Sequence, residues 1–295
     1  MPDSATALHR FDDGSWLRKA LYCPSCGSWI PREDQEVHAP VELPSRLWIY
    51  TNYDCNLACR YCLVSSSPYA ERRGLRMDQL AGLLAEAAEL RIEELFLTGG
   101  EPFLLPDIYA MIAMASRTMP TTVLTNGMII RGKRLEQLAR VNGPNLRLQI
   151  SLDDDHPGVH DLYRGEGSWD KAMEGIRLLK VAGIQLRIAT TVTPELQPRV
   201  DAVRRFVREE LRIADEHHIV RPLVKRGFSE DGLEVSKDNL VPELTVDVDG
   251  VYWHPSGTEA DLLVTTDISS LRRALEVVAG LTREKSAAGT QQPFR

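Results

Sequence analysis

The chain has 295 residues, enough for one large or two ordinary domains, and its 43% hydrophobic and 26% charged residues exclude a disordered chain. No apolar run is long enough to span a membrane, and a formal net charge of −7 argues against a protein that wraps nucleic acid. The first twenty residues lack a basic stretch followed by an apolar one, so no signal peptide is expected and the chain is read as cytoplasmic. In that reducing compartment an odd number of cysteines, five, points to metal or redox use rather than a disulfide framework.

Residues 1–44 carry Pro24, Pro31, Pro40 and Pro44 with scattered charges, and read as an irregular N-terminal extension. Strands and helices then alternate. Leu47-Trp48-Ile49-Tyr50 is a short apolar strand, and Met77 to Leu90, rich in Ala, Leu and Glu, is a helix. Leu95-Phe96-Leu97 is a strand ending at Thr98-Gly99-Gly100, followed by a helix from Pro106 to Arg117 with proline at its start. Thr122 to Thr125 is a strand, Gly132 to Arg140 a helix and Leu146 to Leu152 a strand. Ser168 stands where it can cap a helix reaching Ala182. Leu186 to Val192 is a strand, Val200 to Leu211 a helix and Ile219-Val220 a short strand.

About six βα units between residues 45 and 228 predict an α/β fold with a parallel sheet. They are too few for a closed eight-stranded barrel, which leaves a partial barrel or an open sheet. After residue 225 the rhythm breaks. Leu244 to Trp253 alternates around Asp249-Gly250 as a hairpin does, and Ile268 to Leu281 reads as a helix. A small C-terminal β-hairpin/helix appendage is therefore expected over 235–282, with 283–295 as a tail.

Cys55, Cys59 and Cys62 form a C-x-x-x-C-x-x-C run just after the first of these strands. Soft thiolates select iron–sulfur clusters, zinc or copper. A structural zinc site or an ordinary four-iron cluster takes four protein ligands, so three thiolates leave one metal position open for chemistry. The competing reading is a non-catalytic zinc or iron–sulfur protein with a structural or sensing role, its knuckle completed by Cys23, Cys26 or a histidine.

The run resembles the C-x-x-x-C-x-aromatic-C signature of the radical S-adenosylmethionine (SAM) superfamily, with Tyr61 as the aromatic. Gly99-Gly100-Glu101-Pro102 resembles that family's GGEP element. The resemblance covers roughly residues 46–224 and implies a partial (β/α)6 barrel with a 4Fe–4S cluster on Cys55, Cys59 and Cys62. It implies an enzyme in which SAM occupies the fourth iron and is reductively cleaved to a 5′-deoxyadenosyl radical. That radical would abstract hydrogen from a peptide or a small natural-product or cofactor-precursor substrate. A reductase, flavodoxin or ferredoxin would supply the electron, and neither a membrane nor nucleic acid is an expected partner.

The same resemblance assigns roles by position. Gly99 and Gly100 would let the backbone approach the methionyl end of SAM, and Glu101 would accept from its ammonium. Ser151 would contact the SAM carboxylate or ribose, Asp153 a ribose hydroxyl, and Arg164 (of Arg164-Gly165) would neutralise the carboxylate. Thr125 and Asn126 would share the rim, and Val192 would lie near the adenine. All sit where parallel α/β folds bind ligands, at the carboxyl ends of strands.

The C-terminal hairpin resembles a shortened SPASM or twitch-like extension without cysteines, so no auxiliary cluster is expected there, and His254 is expected at the surface. Cys23-Pro24-Ser25-Cys26-Gly27 resembles half of a zinc-ribbon knuckle. A second metal site holding zinc, a degenerate knuckle and a redox pair all stay open for Cys23 and Cys26, with His38 as a further ligand. No segment suggests a cobalamin-binding domain.

Overall fold

The computed structural model describes residues 44–282, a helix backbone running on to Ala287, and the backbone of four short strands nearer the N-terminus. Those four are β1 (Leu8–Arg10), β2 (Trp16–Arg18), β3 (Ala20–Cys23) and β4 (Ser28–Pro31). They pair antiparallel, β1 with β2 and β3 with β4, so the extension is not wholly irregular. Strands this short leave too little alternation to be read from sequence. Cys26 and His38 lie outside the described residues, and only the backbone of Cys23 falls within them.

The main sheet begins with β5 (Arg46–Tyr50), β6 (Glu94–Thr98), β7 (Thr121–Thr125), β8 (Leu146–Ser151), β9 (Gln185–Val192) and β10 (His218–Pro222). Between them run helices α1 (Met77–Glu89), α2 (Ile108–Thr118), α3 (Lys133–Val141), α4 (Pro157–Arg164), α5 (Ser168–Val181) and α6 (Val200–Glu209). The six strands are parallel and lie in sequence order. Three further strands, β11 (Leu244–Val246), β12 (Val251–Tyr252) and β13 (Leu263–Thr265), extend the sheet beyond β5. β11 runs parallel to β5, and β12 and β13 follow antiparallel, so the appendage continues the same sheet. The last helix, α7, spans Leu271–Ala287. The sheet order starts at β10 and ends at β13, and these two edges do not pair, which is the open partial barrel.

Side chains alternate across a strand, and the register sorts this sheet into two unlike faces. Leu47, Ile49, Leu95, Leu97, Val123, Leu148, Ile150 and Ile188 share one buried core with the helices. The helices meet it with apolar stripes; α1 buries Leu80, Leu83, Leu84 and Ala87, a spacing of three and four residues. The opposite face carries Trp48, Tyr50, Phe96, Thr122, Arg147, Gln149, Ser151, Arg187, Thr191 and Arg221 in register. That inner face mixes polar side chains with aromatic and a few aliphatic ones, and among the described residues no helix core forms on it.

The sequence reading missed α4 and misplaced one cap. Ser168 is the first residue of α5, and Gly167 is its cap in a left-handed conformation. Asp161 of α4 satisfies the free donors instead, accepting from Gly167 N at 2.7 Å, Trp169 N at 2.8 Å and Ser168 Oγ at 3.0 Å. α5 in turn packs on the turn after β7, where a side chain at Gly175 would collide with the Gly127 carbonyl. Among the described residues no helix is long and apolar enough to cross a membrane.

α4 is docked by a histidine. His160 is 1% exposed, and its Nδ1 accepts from Asp153 N at 3.1 Å. Burial pushes its pKa down to about 4, and the Arg164 charge adds to that shift. The folded pKa lies below the unfolded one, so this stabilisation is present above about pH 6.5 and is lost as pH falls toward 4. His160→Asn keeps an acceptor but cannot titrate. Urea unfolding at about pH 7 and about pH 4.5 should show the wild type losing roughly 2–3 kcal/mol that the variant does not lose.

Candidate functional site

β5 ends at Tyr50 and the chain turns into the cysteine loop, held at both ends by backbone hydrogen bonds. Thr51 N donates to Thr98 O at 2.7 Å, Gly100 N to Asn52 O at 2.8 Å and Glu101 N to Asp54 O at 3.0 Å. The loop after β6 therefore lies flat against the start of the cysteine loop. A side chain at Gly100 would collide with the Tyr53 and Asp54 carbonyls. The space that glycine leaves here is filled by the cysteine loop's own backbone. Asn52, a residue the sequence did not single out, ties the two loops by donating from Nδ2 to Glu101 O at 3.1 Å and to Asp54 O at 3.0 Å.

The three thiols sit on this framework. Leu57 N points at Cys55 Sγ at 3.4 Å, and Ser66 N at Cys62 Sγ at 3.2 Å. Cys55 N donates to Ser67 O, and Phe228 N, from the loop after β10, donates to Cys62 O at 2.9 Å. Burial, with Glu101 nearby, pushes the Cys55 thiol up to about 12. Burial also raises Cys59 to about 11 against the pull of Arg164. Thiols held that high stay protonated until a metal displaces the proton. Among the described residues, the side chains whose ligand atoms gather within 4.8 Å of one another are Asp154, Asp155 and His156. At least one separation among the three cysteine thiols is therefore wider than 4.8 Å, more than the tetrahedral shell of a single zinc ion spans. Arg199 ion-pairs with both Asp154, at 3.2 Å, and Asp155, so that acidic group is already matched.

Glu101 organises one side of the site. It is wholly buried, and its carboxylate accepts from Thr125 Oγ1 at 2.7 Å, Asn126 N at 2.9 Å and Phe103 N at 3.2 Å. Burial raises its pKa to about 7 against these three donors. Oε1 takes two of the bonds and Oε2 one, so one lone pair on Oε2 remains. Asn126 reaches on to the cysteine loop, donating from Nδ2 to Asn56 Oδ1 at 2.9 Å and lying 4.0 Å from Cys55 Sγ. Gly99, Gly100, Glu101, Thr125, Asn126 and Cys55 are therefore one connected group.

A second group gathers at the ends of β8 and β9. Asp153, wholly buried, accepts from Arg164 Nε at 2.6 Å, from Thr191 N at 2.9 Å and from the Tyr61 hydroxyl. Burial pushes this carboxyl up, but Arg164 and His160 outweigh it and hold the pKa below the usual range. The Arg164 guanidinium lies 5.3 Å from the Tyr61 ring centre, so Tyr61, Asp153 and Arg164 are partners of one another first. Ser151, at the end of β8, is half-buried on the inner face. Val192 is not brought to the others. Its side chain lines a groove of about 290 Å³ with Gln197, Val200, Arg204, Val220 and Pro222 at the β10 edge.

The C-terminal appendage also reaches the site, through residues the sequence did not flag. The Tyr53 hydroxyl bonds Asp247 Oδ2 and, at 2.8 Å, Thr258 Oγ1. Asp247 is buried, and its other oxygen caps the hairpin turn by accepting from Asp249 N at 2.7 Å and Gly250 N at 2.9 Å. Arg73 stacks 4.4 Å from the Tyr53 ring centre and ion-pairs with Asp249. His254, expected at the surface, is half-buried. Burial lowers its pKa to about 4, and Nδ1 accepts from Ser256 N at 3.1 Å.

Comparison with known proteins agrees with this geometry. The chain is 32% identical over 146 residues to the AdoMet-dependent heme synthase of Oleidesulfovibrio alaskensis, covering 49% of this chain and 37% of that protein. It is 29% identical over 174 residues to the mycofactocin maturase MftC of Mycolicibacterium smegmatis, covering 58% and 44%. The chain thus spans less than half the length of either relative. Its fold matches native anSMEcpe with bound AdoMet and Cp18Cys peptide at a TM-score of 0.60 and 15% identity, over 80% of this chain and 81% of that one. Residues 49–207 match the model of the Radical SAM superfamily, more than half of the chain, and the protein belongs to that superfamily.

Proposed function

We propose that this chain cleaves SAM reductively and uses the resulting radical on a peptide or cofactor-precursor substrate. The observation that carries the reading is the donor set. Three cysteine thiols on one loop, Cys55 buried and Cys59 and Cys62 half-buried, are not drawn together into a single ion's shell, and they lie beside a buried carboxylate with one acceptor site left. Membership of the superfamily implies the 4Fe–4S cluster and SAM as its cofactors. Cys55, Cys59 and Cys62 would hold the cluster, which when reduced would supply the electron for cleavage of SAM to methionine and a 5′-deoxyadenosyl radical.

The chain's own residues bind and orient. The free lone pair on Glu101 Oε2 takes the SAM ammonium, while Thr125 and Asn126 fix the carboxylate and favour its ionised form by donating to it. Ser151 meets the ribose or carboxylate from the inner face. Arg164 and Asp153 supply a fixed charge pair at the far side, with Tyr61 joining it to the cysteine loop. Val192 contributes main chain at the end of β9. An external reductase, flavodoxin or ferredoxin delivers the electron. Cys23 and Cys26 offer a further metal site, for which zinc is the candidate. Free thiols and a reduced cluster suit the cytoplasm. The substrate class follows the relatives, one a maturase and one a heme synthase, and a structural neighbour that holds AdoMet and a peptide.

Anaerobic reconstitution with iron and sulfide, then dithionite and SAM, should yield 5′-deoxyadenosine. Cys55→Ala, Cys59→Ala and Cys62→Ala should each abolish it; retained cleavage in any one removes that residue from the ligand set, and a colourless protein that binds only zinc overturns the reading. Glu101→Gln should weaken SAM binding about tenfold or more, the worth of a charge-assisted bond, with iron content unchanged. Equal loss of iron and of SAM binding would assign Glu101 a structural role alone.

A further inference from the structure

The inner face holds two polar side chains that the cofactor site does not use. Gln149 of β8 and Arg187 of β9 stand directly opposite each other in the parallel register. Gln149 is 4% exposed, and its side-chain oxygen has no hydrogen-bond partner. Arg187 Nε is likewise buried and unpartnered, and its Nη1 makes one long contact of 3.4 Å to Glu94 Oε1. Arg147 stands nearby and adds like charge beside Arg187, while other neighbours have partners of their own. Thr122 Oγ1 donates to Glu94 at 3.0 Å, and Trp48 stacks on Phe96 with centroids 4.0 Å apart. The flanking residues Leu148, Ile150 and Ile188 face the helix core, so Gln149 and Arg187 point the other way.

A buried acceptor without a donor and a buried donor without an acceptor are each unfavourable, and side by side they are costly to leave empty. Together they are the complement of one group that carries both a hydrogen-bond donor and an acceptor. Donor count narrows the choice. A carboxylate could accept from Arg187 but brings no donor for Gln149 Oε1, whereas a neutral group with one N–H and one C=O serves both. A peptide unit, with its N–H and C=O, meets each of these conditions. Gln149 lies two residues before Ser151 on the same strand and face, about 7 Å deeper than the proposed SAM contact.

We propose that Gln149 and Arg187 form the substrate subsite that recognises an amide group. Gln149 Oε1 accepts from the amide N–H, and Arg187 donates to its carbonyl. This deepens the reading of a radical SAM enzyme acting on peptides, on which it rests, and it makes these two residues specificity determinants. They discriminate between a peptide and an ester or acid of the same shape.

Two measurements test it. In the ligand-free protein, Gln149→Leu removes an unsatisfied polar group, so the melting temperature should rise by about 2–4 °C. A fall would mean that the amide is satisfied within the fold, and the proposal would be overturned. The second uses the reconstituted protein with its cluster reduced, whose paramagnetism relaxes nearby protons of a weakly bound probe. Proton relaxation of N-methylacetamide should be enhanced several-fold more than that of methyl acetate, and the excess should vanish in Gln149→Leu and Arg187→Met. Equal enhancement of amide and ester, or an excess that survives both substitutions, overturns the subsite. Stronger enhancement of acetate than of N-methylacetamide overturns it in favour of a carboxylate site. SAM affinity, read separately on the wild type by equilibrium dialysis, tests the parent reading, so failure of one is not confused with failure of the other.

Discussion

The Asp153 carboxylate holds the site together. It lies in the interior and takes donors from three separate stretches of chain: Tyr61 of the cysteine loop, Arg164 at the end of α4, and the Thr191 amide in β9. A fourth tie runs from its own backbone N–H to His160. Taking an aspartate and an arginine out of water is costly, and replacing such a pair with apolar residues is often neutral for stability. Removing one partner is different, because the other charge is then stranded, at a cost of about 3–5 kcal/mol. What the pair contributes is position. The loop that carries three thiols forms no helix or regular strand, and a charged, hydrogen-bonded anchor fixes it in place.

The two faces of the sheet divide the work. The outer face is an aliphatic core closed by helices, and it provides the stability. The inner face gives up that stabilisation and carries polar side chains. Glu101 shows the cost directly: burial drives its pKa up to about 7 even though three donors favour its ionised form. A site for a charged ligand needs groups of this kind to be set in place before the ligand arrives.

Local patterns in the sequence were legible. The strands from β5 to β10 announce themselves by apolar runs, and the cysteine spacing and the Gly-Gly-Glu-Pro turn are contiguous. α4 was not legible, because the residues it buries are His160 and Arg164, and an apolar stripe is the signal a reader looks for. Ser168 was in the right place for a cap, yet the carboxylate that serves comes from the preceding helix. Asp153 and Arg164 were picked out singly as ligand contacts. That they bond each other is a fact of tertiary structure, and so is the meeting of Tyr53 with Asp247, for which no short-range pattern exists. Gly100 was marked for its lack of a side chain, but the atoms that demand it belong to the neighbouring loop.

The tie between Tyr53 and Asp247 joins residues 194 positions apart, and Trp48 donates to Glu243 across 195. On a ribosome adding about 5–20 residues per second, roughly 10–40 s separate the emergence of the two partners. Through that interval the edge of β5, which later receives β11, is unpaired and the cysteine loop is held from one side only. The framework around the three thiols is therefore complete only once the C-terminal hairpin has been made.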